Sequence, residues 1–143
     1  MKSLFVLCVI TLNALLTFAQ SLPVAKVQQA YSAEEIAAMS ENQLTALAFR
    51  AEKLCWFEEV KNSSESTWYT LSDRMGNPVI LTDAMVSDFN PLLFNLPQQS
   101  NRCENLPVQT DSGKHYLLIV RSDEMMKKEW QRRVVKNSKS SAK

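Results

Sequence analysis

Apolar residues recur at helical spacing at Leu44, Leu47, Ala48, Ala51, Leu54 and Cys55, which places them along one face of a helix. Ser40 with Gln43, and eight residues earlier Ser32 with Glu35, have the spacing of a capping box, in which the first side chain and the fourth satisfy each other's backbone N–H. The pattern predicts a short helix leading into a long one of about 18 residues, roughly 27 Å in length. Phe49, Trp56 and Val60 trace a second, sparser apolar line along the long helix. Residues 20–31 lack periodicity, contain Pro23, and read as an extended lead-in.

Beyond the polar break at 61–66 the period shortens. Thr67-Trp68-Tyr69-Thr70-Leu71 and Val79-Ile80-Leu81 flank a turn rich in Asp, Gly and Asn, the signature of a hairpin. Pro78 opens its second strand, where a missing N–H does least harm. Thr82 to Phe89 has the length of two helical turns capped by Thr82 and stopped at Asn90-Pro91. Leu92-Leu93-Phe94 is apolar and expected in the core. Residues 97–113 show almost no periodicity and read as a long loop. Lys114 to Arg121 is the strongest strand, and its continuous apolar centre predicts a central position with both faces covered. Ser122 then caps a last helix with Asp123 and Glu124 in its first turn, where the helix dipole favours acids. Met126, Trp130 and Val134 give that helix one docking face. Leu47, Leu54, Leu118 and Ile119 are expected in one common core.

These elements make an α+β domain over residues 32–136. N-terminal helices, short then long, pack on a small, mainly antiparallel sheet of three or four strands, and a C-terminal helix closes it. Residues 137–143 read as a disordered tail.

The first residues belong to a different class. Lys2 is followed by an almost wholly apolar Leu4 to Leu16, and Thr17-Phe18-Ala19 ends in a small-x-small pattern. This is the layout of a secretory signal peptide over 1–19, cut after Ala19. The apolar run is shorter than the roughly 20 residues needed to span a bilayer, so the expected protein is exported, secreted or periplasmic, without a membrane span.

Export changes the reading of the cysteines. Cys8 leaves with the leader, and Cys55 and Cys103 remain. In an oxidising compartment a lone pair is expected to form a disulfide, closing a loop of 48 positions worth about 4 kcal/mol by chain entropy. Such a bridge would pin the 97–113 loop over the long helix. Neither cysteine belongs to a C-x-x-C pair, and two cysteines with the single His115 make a poor zinc site. In a eukaryotic pathway Asn62-Ser63-Ser64 would be a glycosylation sequon.

Charge is balanced overall but uneven along the chain. Residues 125–143 hold seven basic residues against Glu129 alone, so residues 20–124 carry the compensating negative charge. The basic positions Lys127, Lys128, Arg132 and Arg133, with Trp68 on the hairpin, are the candidate interaction surface. The partner classes they suit are another exported protein or an anionic surface. No nucleic-acid motif accompanies them.

With Gly76 and Gly113 as the only glycines, no phosphate-cradling loop or dinucleotide fingerprint can form. The chain has no G-x-S-x-G or H-E-x-x-H motif, and adjacent Glu58 and Glu59 diverge on a helix rather than flank a substrate. No cofactor or metal is expected. The leading functional reading is a small non-enzymatic binding or accessory protein. The alternative is a small secreted hydrolase whose site forms only in space, with His115 gathered beside carboxylates or a hydroxyl.

Overall fold

The computed structural model describes residues 24–140, with side chains through 136. The signal peptide expected over 1–19 lies outside these residues. The architecture is mixed α and β, as the patterning predicts. Five helices accompany a three-stranded antiparallel sheet and a two-stranded hairpin among the described residues.

Helix α1 (Val24–Ala30) occupies ground expected to be an extended lead-in. Its anchor is long-range and therefore invisible to local periodicity. Val27 is buried against Ala48, Ala51 and Leu92. Asn90, itself buried, donates from Nδ2 to the Lys26 carbonyl at 2.7 Å, and Lys26 Nζ donates to the Phe89 carbonyl at 2.6 Å.

Helices α2 (Ala33–Ala38) and α3 (Glu41–Lys53) each begin with the complete reciprocal capping box read at Ser32/Glu35 and Ser40/Gln43. α3 is shorter than expected. It ends at Lys53, and the chain turns at Leu54 into strand β1 (Cys55–Glu59). The sequence Cys-Trp-Phe-Glu-Glu suits a half-buried strand better than a helix. Cys55 and Phe57 alternate toward the core while Trp56 and Glu58 alternate away, and bulky aromatic residues fit a pleated surface. Trp56 and Val60 therefore form no second helical line.

The hairpin is reduced to β2 (Leu71–Ser72) and β3 (Pro78–Val79) around a tight turn. Asp73 Oδ1 accepts from the N–H groups of Met75 (2.8 Å) and Asn77 (2.9 Å), and Gly76 takes the positive φ of 88° that the turn requires. Helix α4 (Asp83–Ser87) starts at Thr82 as read, with Thr82 Oγ1 accepting from the Met85 N–H. A 3-10 turn at Pro91–Leu93 follows. It buries Leu92, whereas Leu93 faces solvent.

The expected loop at 97–113 contains a strand, β4 (Glu104–Gln109), which pairs with β5 (His115–Val120). Leu106 and Val108 face the core, with Pro107 between them obscuring the pattern. β5 is central, as predicted, with strand order β1-β5-β4. Leu118 and Val120 are fully buried and join Leu54, Leu71, Leu81, Leu106 and Val108 in the main core.

The expected single core is two clusters. Leu47 only borders the second, helical one, and Ile119 is buried on the sheet's opposite face.

Helix α5 (Asp123–Ser140) is launched from buried Ser122, whose Oγ accepts from the Met125 N–H at 3.3 Å. Met126 packs on the main core, and Trp130 meets Phe49 edge to face at 5.0 Å. The apolar part of the docked face stops there. Val134, expected to continue it, is 52% exposed, and the helix meets α3 again through the Arg133–Glu52 ion pair at 3.1 Å. Residues 137–140, expected in a disordered tail, continue the helix.

A candidate binding cleft at the edge strand

The anticipated Cys55–Cys103 bridge does not form, and both thiols are free. Cys55 lies opposite Val120, and Cys103 immediately precedes Glu104, which lies opposite Val120 from the other side. β5 therefore stands between them, and two strand spacings amount to about 10 Å, beyond the roughly 7 Å a disulfide can bridge. Cys103 Sγ instead lies 3.2 Å from Met125 Sδ. Burial pushes the Cys55 thiol up to about 12, against the opposing influence of Lys26, Arg121 and Arg50. It is a protonated packing group at neutral pH and not a nucleophile.

The register shows what β1 does with its backbone. The Val60 N–H donates to the His115 carbonyl at 3.0 Å, and the Arg121 N–H donates to the Leu54 carbonyl at 2.8 Å. In an antiparallel ladder bonded pairs alternate, so residues 54, 56, 58 and 60 face β5. The N–H and C=O groups of Cys55, Phe57 and Glu59 face outward. No described backbone pairs with that edge.

Beside the edge lies an open cleft of about 390 Å³, walled by Lys26 of α1, Ala51 and Glu52 of α3, and Val86 and Phe89. Its floor is aromatic. Phe57 meets Phe89 edge to face at 5.0 Å and Tyr116 at 5.9 Å, while Phe89 stacks on Phe94 at 4.7 Å. Lys26 and Glu59 supply opposite charges to the rim. Burial alone would raise the Glu52 carboxyl, but hydrogen bonds from Lys53 and Arg133 hold it below its ordinary value. The arrangement combines free main-chain donors and acceptors, an apolar floor and charged ends. Those are the features by which an extended peptide is held as an added strand.

The structure disperses the other sequence-derived candidates. Trp68 is half-buried, with its ring stacked on the His115 ring at 4.4 Å. His115 otherwise contacts Gln109 at 3.2 Å, and neither neighbour is a nucleophile or an orienting acid. Lys127 and Lys128 are exposed on α5. Arg132 pairs with Glu129 at 2.9 Å, and Arg133 turns back to Glu52 at 3.1 Å, on the docked side of the helix. Arg133 is thus half-buried against α3, while Lys127, Lys128 and Arg132 stay exposed. Asn62 is exposed. Among the described residues, no group of three or more His, Cys, Asp or Glu side chains is placed to hold a metal, and no helix is long and apolar enough to cross a membrane.

Sequence reasoning missed the β1 edge because it carried the helical pattern through Cys55. The available signal was the inward Cys55/Phe57 and outward Trp56/Glu58 alternation. Comparison with known proteins finds no matching family model, no matching curated protein and no matching solved structure.

Proposed function

We propose that this chain is an exported, non-enzymatic binding or accessory protein that works by accepting an extended strand along the outer edge of β1. The observation that carries the reading is the outward, unpaired backbone of Phe57 and Glu59 beside a cleft with an aromatic floor and charged rim. An open edge is a template for another chain, and folds that do not use one block it. The leader-like residues Lys2 to Ala19 support export. Exposed Lys127 and Lys128 would add long-range attraction to an anionic partner, weakened by salt. No contact made by His115 favours the hydrolase reading.

The test is Glu59→Pro. Glu59 is exposed and its N–H points away from β5, so the substitution removes an outward donor and leaves the internal ladder intact. Proteins recovered with the wild-type chain from the exported fraction of its native host should be lost with this variant. Amide exchange at Phe57 and Glu59 should slow when the partner is present. Equal recovery with both forms would contradict the reading, as would a mature N-terminus other than one at about Gln20.

A further inference from the structure

We propose that the strand β1 accepts is β1 of a second copy of this chain, running antiparallel about a two-fold axis at Phe57. The inference rests on the reading of β1 as a pairing edge and names its occupant.

Because Phe57 turns both its N–H and its C=O outward, it can exchange both bonds with Phe57 of a second copy, as a two-fold axis through a bonded pair requires. The same register sets Cys55 opposite Glu59 of the second copy, and Trp56 opposite its Glu58. Two three-stranded sheets then become one continuous sheet, and each exposed edge covers the other.

Charge selects this register. The Cys55 end of β1 shares its cleft with Lys26, while Glu58 and Glu59 make the other end acidic. Antiparallel self-pairing carries Glu59 of each copy toward Lys26 of the other, whose ammonium also pairs with exposed Asp88 at 3.5 Å and donates to the Phe89 carbonyl, and no carboxylate lies directly opposite another. A pairing centred on Glu59 would face like charges across the ladder, which is unfavourable. On the cleft side the two Phe57 rings meet at the axis and extend the aromatic row formed with Phe89 and Tyr116. On the other side Trp56, whose Nε1 donates to Glu58 of its own chain at 3.0 Å, comes beside a second carboxylate acceptor.

Sedimentation of the chain as its host produces it, over a concentration series, tests the proposal. The wild type should show a reversible monomer–dimer equilibrium. Glu59→Pro should be monomeric with unchanged circular dichroism. Glu59→Lys should weaken association on the order of tenfold, since each of two symmetric ion pairs is replaced by repulsion. A wild type that stays monomeric throughout, or a dimer indifferent to Glu59→Pro, overturns the proposal. If the wild type is monomeric but Glu59→Pro still loses a co-purifying protein, the second copy is the wrong occupant and the edge reading survives. If Glu59→Pro affects neither, both fail.

Discussion

β4 and β1 flank the same central strand, yet their outer sides are treated differently. On β4 the Thr110 N–H donates to the Lys114 carbonyl at 2.9 Å, so by alternation residues 104, 106 and 108 face β5 while 105, 107 and 109 face out. The middle outward position is Pro107, which has no N–H to leave unpaired. Its carbonyl accepts from the Tyr69 N–H at 2.7 Å, so a passing segment covers the strand where proline cannot block it. β1 has neither device. Phe57 and Glu59 present donors and acceptors to an open cleft. The same chain supplies an edge blocked by proline and a covering segment and one without either, and the proposed strand pairing rests on that contrast.

The largest perturbation acts on the strand both edges share. Leu118 is fully buried at the centre of β5, paired with Phe57 on one side and Leu106 on the other. Leu118→Ala should cost about 2–5 kcal/mol in denaturant unfolding, and a loss well under 1 kcal/mol would contradict its central place.

The cysteines sharpen the comparison next, since one begins β1 and the other leads into β4. With its thiol raised from 9.0 to about 12, Cys55 holds roughly a thousandfold less thiolate than an ordinary cysteine. Alkylation of the native chain should label Cys103 first, with Cys55 reacting only on unfolding. Rapid labelling of Cys55, or a mass two hydrogens lower than the reduced form, would contradict the assignment.

Tyr69→Pro probes the covered edge. It removes the donor to Pro107 and a ring that packs on the main core, so it should cost about 1 kcal/mol for the hydrogen bond alone. It should also expose a second edge, and increased association would be the telling sign.

The smallest effect lies at the turn between β4 and β5. Asp83 is held below its ordinary value by hydrogen bonds from Lys114 (2.8 Å) and Ser112, and the same contact raises Lys114. Since the Asp83 value is depressed, its stabilisation is full above 3.8 and is lost as pH falls through the folded value. That of Lys114 is full below 10.5 and is lost as pH rises through its folded value. The groups are exposed, so Asp83→Asn should shift the unfolding midpoint slightly at neutral pH and not at all once acid has protonated the wild type.

What was legible in the sequence followed from local rules. Ser32/Glu35 and Ser40/Gln43 announce their helices through groups three residues apart, Thr82 announces α4, and the unbroken run at 115–120 announces a strand covered on both faces. The misreadings follow from long-range contacts. α1 is held by Asn90, more than sixty residues away. β4 was hidden by Pro107, which only an edge tolerates, and edges are defined by partners rather than by local pattern. The bridge between Cys55 and Cys103 fails because β5 lies between them, a fact of strand order that spacing does not encode. The candidate site was lost with β1, since a helix from Ser40 through Glu58 has no edge to offer.

Amide hydrogen exchange along β1 at low protein concentration tests the account most directly. Trp56 and Glu58, bonded to β5, should be protected, and Phe57 and Glu59, facing the cleft, should exchange rapidly. Protection at Phe57 and Glu59 should then rise with concentration as a second strand docks. Uniform protection from Cys55 to Glu59 at every dilution would mean that the chain already covers this edge, and would contradict the account.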